Sequence, residues 1–208
     1  MTQQLDIAHK PADSRDVPRI AGMLTQLYRE EAPGMINGDT EPNELLVHRA
    51  LREQAPAAIE GMVVVEDAGT PVAIGAIATR QHPRVNLWYD TIAADARDLL
   101  GPRDGTRFLN GMRRLMGALI TPLAAGEAQL HSIVVDREAR QLGAGAHVVA
   151  VLEEKARLAG KDSATLQVLN GNPAQHFYAK LGYEVTHVDA PTDNGPYPSI
   201  TMTKPLYN

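Results

Sequence analysis

Residues 133–145 read Ile-Val-Val-Asp-Arg-Glu-Ala-Arg-Gln-Leu-Gly-Ala-Gly: an apolar strand, a polar turn, then Arg140-x-x-Gly143-x-Gly145 at the head of a long amphipathic stretch. That order builds an anion cradle. N–H groups at a helix start have no intrahelical acceptor and lie at the positive end of the helix dipole. Glycines there let an anion approach the backbone. A ligand carrying two linked phosphates is the first expectation.

The chain has 208 residues, 44% apolar and 22% charged, which predicts one globular domain spanning residues 1–208. It contains no cysteine. A disulfide, a thiolate metal ligand and a covalent cysteine intermediate are therefore all excluded, and any transferred group must move directly. No apolar run approaches the roughly 20 residues of a membrane helix, and the best stretch, 115–125, holds Pro122. The first residues lack the basic start and apolar core of an export signal, so no membrane association and a cytoplasmic location are expected. The formal charge of −5 argues against a nucleic-acid surface. His9, His48, His82, His147, His176 and His187 show no paired spacing, so no metal site is expected.

Along the chain, residues 5–9 alternate as a strand. Asp13 or Ser14 then opens a helix whose apolar face is Val17, Ile20, Met23, Leu24 and Leu27. Residues 30–44, broken by Pro33, Gly34, Gly38 and Pro42, read as a loop before a second helix over 44–54. Strands over 62–66 and 72–80 flank Asp67-Ala68-Gly69-Thr70, a hairpin signal. Residues 81–127 interrupt this order with two helices, 93–100 and 108–120, separated by Gly101, Pro102 and Gly105. Trp88, Tyr89 and Phe108 in this insertion read as packing residues.

A strand over 129–136 follows, then a helix over 143–159 that buries Ala146, Val149, Leu152 and Ala156, with Glu153 and Arg157 paired one turn apart and Gly160 at its end. After a strand over 164–169, Asn172-Pro173-Ala174-Gln175 has the form of a helix start, with Asn172 as the cap. That helix stops at Gly182. Strands over 183–188 and 199–204 close the chain, joined by a loop containing Pro191, Asn194, Gly195 and Pro196.

Two of these segments, residues 130–145 and 172–183, resemble the GNAT superfamily of acyl-CoA-dependent N-acetyltransferases, and the strand, helix and hairpin order extends the likeness over most of the chain outside the insertion. The resemblance implies an α/β (α+β) fold: a mixed, mainly antiparallel sheet of about seven strands flanked by helices, with a helical insertion between strands 3 and 4. The sheet would splay open after the fourth strand to receive acetyl-CoA as co-substrate. Main-chain groups of Ile133, Val134 and Val135 would hold the pantetheine arm. The turn made by Arg140, Gln141, Leu142, Gly143, Ala144, Gly145 and Ala146 would hold the pyrophosphate.

Tyr178 matches the family tyrosine beside the CoA sulfur, where a phenol can quench the departing thiolate. The family asparagine position is Gly171 here, so Asn172 or Asn170 would substitute, although capping alone also explains Asn172. The acceptor amine must arrive neutral and so needs a base. The family often places a glutamate where this chain has Gln129. His131 lies two residues on, and in a regular strand Gln129, His131 and Ile133 share one face. His131 is either that base, directly or through water, or a core histidine. Glu30, Glu31, Glu41 and Glu44 lie near the acceptor entrance of this family, but read first as a solvated charge run.

The expected activity is transfer of acetyl from acetyl-CoA to a primary amine, with a small-molecule acceptor favoured over a protein amine. The oxyanion would meet a strand N–H near Val134. A homodimer is left open by the resemblance. A dinucleotide-binding reading of Gly143-x-Gly145 fails at Val148, where the third glycine would fall. A non-catalytic acyl-CoA sensor is the other alternative; the missing glutamate at Gln129 favours it and Tyr178 counts against it.

Overall fold

Two apolar runs and a two-residue turn make the central hairpin. β2 (Met62–Asp67) and β3 (Thr70–Thr79) are joined through Ala68 and Gly69, whose φ values of 47° and 81° supply the paired left-handed residues that a tight hairpin of native twist requires. The computed structural model describes residues 6–32, 34–119, 122–189 and 199–207. Before the hairpin come β1 (Ile7–Pro11), α1 (Val17–Glu31) and α2 (Thr40–Glu53). After it come α3 (Ile92–Leu119), β4 (Glu127–Val135), α4 (Ala144–Leu158), β5 (Ser163–Leu169), α5 (Ala174–Lys180), β6 (Glu184–Val188) and β7 (Ser199–Pro205). The seven strands form one sheet in the order β1-β2-β3-β4-β5-β7-β6. Only β4 and β5 run parallel; the other neighbours are antiparallel.

Each face of the sheet carries its own core. On one side α1, α2 and α3 bring Ile20, Leu24, Leu46, Leu51, Phe108 and Met112 onto Met62, Ile74 and Ala76. On the other, Val148, Val149 and Leu152 of α4 pack on Val65, Leu130, Leu166 and Met202. Tyr89 and Phe108 are core residues and Trp88 packs against that core, as expected of the insertion's aromatics. The insertion is clamped further by Asp95, which accepts from Arg49 at 2.8 Å and from the Tyr89 hydroxyl at 2.7 Å.

Several boundaries differ from the sequence expectation. α1 starts at Val17 because Asp16, rather than Asp13 or Ser14, precedes its first turn. The Asp16 carboxylate accepts the Asp13 N–H at 2.9 Å and pairs with Lys10 at 3.0 Å. α2 starts at Thr40, with Pro42 tolerated in the first turn, where the missing N–H has no partner to lose. The two insertion helices meet at Gly101, whose φ of 77° and ψ of 166° no helix accommodates, and Pro102 opens the second. Ala146 is exposed, not buried; α4 turns Ala144 and Val148 inward instead. Leu5, Ile120 and the loop bearing Pro191, Asn194, Gly195 and Pro196 lie outside the described residues.

The departure that matters for the site is in β4. Between the partner positions Ala76↔His131 and Ile74↔Val134, β3 advances two residues and β4 three. Ser132, at φ 52°, takes up the extra residue as a β-bulge. The alternation therefore inverts. His131, opposite Ala76, stays on the α1–α2 side, whereas Ile133 packs with Val148 and Leu152 of α4 beside Gly75. The expectation that Gln129, His131 and Ile133 share a face is corrected: Gln129 and His131 do, and Ile133 does not.

Candidate active site

β4 and β5 pair only where residues 127–129 meet 163–165, and beyond that point they diverge. The edge of β4 after Gln129 has no strand beside it on the β5 side, so its backbone faces an opening. At the fork the Gln129 side chain donates to Gln167 Oε1 at 3.1 Å and ties the two strands together. The opening widens into a cleft of about 1030 Å³ lined by Leu27, Glu30 and Glu31 of α1, by Ile133, Val134 and Val135, by Arg140, Gln141, Gly143, Gly145 and Ala146, and by residues 169–174 with Phe177 and Tyr178.

The glycine turn forms the cradle that its sequence predicts. After a 3₁₀ turn (Arg137–Ala139), Gln141 and Gly143 hold positive φ values of 67° and 95°, and α4 begins at Ala144. Alternation of handedness about a helix start points successive N–H groups to one side. The first helical bond here is His147 N–H to Gly143 C=O; the amides of residues 141–146 have no acceptor among the described residues. A Cβ on Gly143 would meet no protein atom within 4 Å, so the approach to these amides is open. A Cβ on Gly145 would touch Phe177 at 3.3 Å and Val135 at 3.4 Å. Leu142 and Ala144 do not line the cleft; Ala144 is fully buried and contributes only main chain to that side.

Arg140 closes the mouth. Its Nη2 pairs with Glu30 Oε2 at 2.7 Å, its Nε donates to Val135 C=O at 3.3 Å, and Arg137 Nε reaches the other Glu30 oxygen at 3.1 Å. Asn172, one residue ahead of Pro173 at the α5 N-cap where the sequence placed Asn172 itself, accepts the Ala174 N–H at 2.9 Å and donates to Glu31 Oε1 at 3.1 Å. Burial raises the Glu31 carboxyl above the ordinary carboxylate range, against the lowering effect of that Asn172 bond. The expected solvated run of glutamates is thus corrected for Glu31, which the fold draws onto Asn172, while Glu30 is exposed and paired with Arg137 and Arg140. Glu41 is exposed and Glu44 half-buried.

Tyr178 sits at the inner end of the cleft, 8% exposed, edge-on to Phe177 and Tyr183 with ring centroids 5.1 and 6.0 Å away. Burial, then the nearby Glu31 charge, pushes its phenol upward, so it stays a protonated donor at neutral pH. Behind it lies a chamber of about 40 Å³ lined by Tyr28, Glu31, Arg84, Gln129, His131, Gln167 and Tyr178. His131, Tyr28, Arg84 and Ser132 also line a third cavity, of about 480 Å³, walled by Leu24, Met62, Val85 and Leu87. The chamber shares Leu27, Glu31, Ile133 and Tyr178 with the large cleft, and Tyr28, Arg84, His131 and Ser132 with the smaller cavity. Burial, with the Arg84 guanidinium, holds the His131 imidazole well below its usual range. It is neutral at neutral pH, with an unprotonated ring nitrogen, and the same two effects make it a weaker base than a free histidine. Its Nδ1 lies 3.1 Å from Ser132 Oγ.

The sequence reading missed Tyr28, Glu31 and Arg84 as members of this constellation. Nothing in the pattern of the first helix singles out Tyr28, and only the likeness-derived position of the glutamates points to Glu31. Nothing in the local pattern marks Arg84.

Compared with known proteins, residues 23–183 match the sequence model of the acetyltransferase (GNAT) family. No curated protein matches the chain. Among solved structures, an acetyltransferase superposes with a TM-score of 0.61 at 19% identity, covering 96% of this chain and 100% of that one. The ribosomal-protein-alanine N-acetyltransferase from Brucella melitensis gives 0.54 at 16% identity over 95% and 99%. The yncA protein from Salmonella typhimurium, solved with its cofactor acetyl-CoA, gives 0.55 at 16% identity over 98% and 95%. At these identities the likeness establishes the fold. Among the described residues no helix is long and apolar enough to cross a membrane.

Proposed function

Because this chain belongs to the acetyltransferase (GNAT) family and is an acyl-CoA N-acyltransferase, we propose that it moves the acetyl group of acetyl-CoA directly to the primary amine of a small molecule. Acetyl-CoA, when bound, supplies a thioester carbonyl and a thiolate leaving group. The residues present fit it: a long cleft, a run of unpaired amides at a helix start, and a glycine leaving the approach clear.

In this reading the amides of residues 141–146, with Arg140, hold the pyrophosphate. The β4 edge at Ile133 and Val134 holds the pantetheine amides, Val135 lines the arm while its carbonyl accepts from Gln26 and Arg140, and Asn172 borders the arm while fixing Glu31. His131 accepts the amine proton, directly or through one water. A strand N–H near Val134 donates to the carbonyl oxygen as charge gathers there, and Tyr178 gives its hydroxyl proton to the thiolate. Gln129, bonded to Gln167, holds the fork and supplies no base.

The observation that carries this reading is the chamber lined by both His131 and Tyr178, whose walls include residues of each of the two larger cavities. A small-molecule acceptor is supported by the size of the His131-side cavity, about 480 Å³, within the usual range for such ligands. A cytoplasmic location is part of the proposal and fits a chain without cysteine.

The test is free-thiol release from acetyl-CoA with an amine panel, alongside calorimetry with acetyl-CoA. Gly143→Val places a β-branched side chain at φ 95° in the approach path and should abolish binding. Absence of acetyl-CoA binding to the wild type sinks the assignment. Binding without thiol release for any amine, protein termini included, would favour an acyl-CoA sensor.

A further inference from the structure

Arg84 and Tyr28 face the His131-side cavity with nothing to hold. Among the described residues only Arg29 Nη2 and Gln167 Nε2 are sealed from solvent without a partner. Among the described residues the Arg84 guanidinium has no hydrogen-bond or ion-pair partner, nor has the Tyr28 hydroxyl, although Tyr28 is 2% exposed; both open onto the cavities they line. Each feels the other's field, and Glu31, the carboxylate that both also feel, is held by Asn172 and forms no ion pair with Arg84. A guanidinium largely withdrawn from water without a counter-ion is costly. A planar cation beside a phenolic donor is also the arrangement that recognises a carboxylate.

The rest of the cavity limits what carries that carboxylate. Its buried walls are apolar at Leu24, Ala58, Met62 and Leu87, and the buried Thr79 hydroxyl among them already accepts the His82 N–H at 3.2 Å. Its other charged liners are Glu60 and His82, both exposed and facing one another at 3.6 Å, and the half-buried Lys155. Resting on the acetyltransferase reading above, we propose that the acceptor is a free amino acid with an apolar side chain: its carboxylate on Arg84 and Tyr28, its amine at His131, its side chain along Leu24 and Met62. The bond formed is N–C(acetyl) and the bond broken is C–S. The amine proton passes to His131 and the thiolate takes one from Tyr178.

The experiment measures thiol release from acetyl-CoA with leucine, valine and phenylalanine, each paired with its decarboxylated amine: isoamylamine, isobutylamine and phenethylamine. Calorimetry with acetyl-CoA is run in parallel. The amino acids should exceed their amines in kcat/KM by about tenfold or more, the range of a charge-assisted hydrogen bond. R84Q should bring that ratio toward one through the amino-acid KM, R84K should restore part of it, and Y28F should reduce it several-fold. Retained acetyl-CoA affinity reports that each variant is folded. Amines serving as well as amino acids, or a preference that survives R84Q, overturns the inference. If acetyl-CoA binds and other amines release thiol while neither panel does, this inference alone falls. If acetyl-CoA does not bind at all, the parent reading falls and takes this one with it.

Discussion

Glu30 on α1 holds Arg140, at the foot of the glycine turn, by an ion pair of 2.7 Å across the mouth of the cleft. Its second oxygen holds Arg137 at 3.1 Å. Where the cradle is to receive phosphates, this carboxylate competes for the same two guanidinium groups and repels the incoming anion. Exposed ion pairs are worth about 0–1 kcal/mol. Glu30→Gln should therefore tighten acetyl-CoA binding by about two- to fivefold at low salt, an advantage that shrinks as salt screens the charges. Calorimetry across a salt series checks it. Weaker binding in the variant would instead assign Glu30 to positioning Arg140.

Tyr178 tests the acid assignment. Its hydroxyl has no partner among the described residues and its ring is held between Phe177 and Tyr183. Tyr178→Phe keeps that packing and removes only the proton donor. The kcat should fall by about a hundredfold, the lower end for a positioned general acid, with acetyl-CoA affinity within about twofold of wild type. Steady-state kinetics and calorimetry separate the two, and an undiminished kcat would remove Tyr178 from the chemistry.

The parts of this molecule that were legible in the sequence are those whose cause is local. Ala68 and Gly69 announce the hairpin, Gly101 and Pro102 the break in α3, and Asn172 the turn into α5, because each answers a backbone demand within a few residues. The glycine turn belongs to the same class. What stayed hidden depends on contacts distant in sequence. Ser132 carries no mark of a bulge, since a left-handed serine is decided by how β4 meets β3, and that one residue sends Ile133 to the α4 face. Arg84 and His131 lie in segments separated by the whole of α3, so no spacing rule could join them. Glu31 reads as solvent-facing until α5 brings Asn172 against it. Ala146 follows the apolar period of α4 yet is exposed, because that part of the helix faces the cleft.

His131 predicts a pH profile. Its folded-state imidazole is held below the ordinary value of 6.5, so it stays unprotonated where a free histidine would already be charged. The acid limb of kcat/KM should therefore fall below pH 6.5, and His131→Asn should lower kcat/KM by about a hundredfold while flattening that limb. The stability sign is opposite to that of a salt-bridged histidine. With the folded pKa depressed, the unfolded chain binds the proton more readily, so stability falls as pH drops from 6.5 toward the folded value. In the asparagine variant this part of the acid destabilisation is lost. Rate profiles with a non-titrating thiol assay and melting curves over the same pH range check both. An acid limb at or above 6.5 contradicts the assignment.

Glu153 separates stability from function. Although it was expected only to pair with Arg157 along α4, it is 5% exposed and anchors the helix to the far end of the sheet. Both oxygens accept from Lys204 Nζ at 2.9 Å, the Tyr183 hydroxyl donates at 3.1 Å, and Arg157 stands 3.5 Å away. Glu153→Ala strips the carboxylate from three donors. Breaking a buried pair from one side costs about 3–5 kcal/mol, and Lys204, with its side chain 26% exposed, can turn partly to water. The lower end, about 3 kcal/mol, corresponds to a Tm fall of roughly 6–12 °C for a chain of this size. Glu154→Ala, whose side chain is 60% exposed and pairs only with Arg157, should shift Tm by no more than about 2 °C. Because Glu153 lines none of the three cavities described above, acetyl-CoA affinity measured well below the melting transition should be unchanged in both variants. An equal, small shift in the two melting curves would mean that the carboxylate's burial is offset by its neighbours and contributes nothing net to the fold.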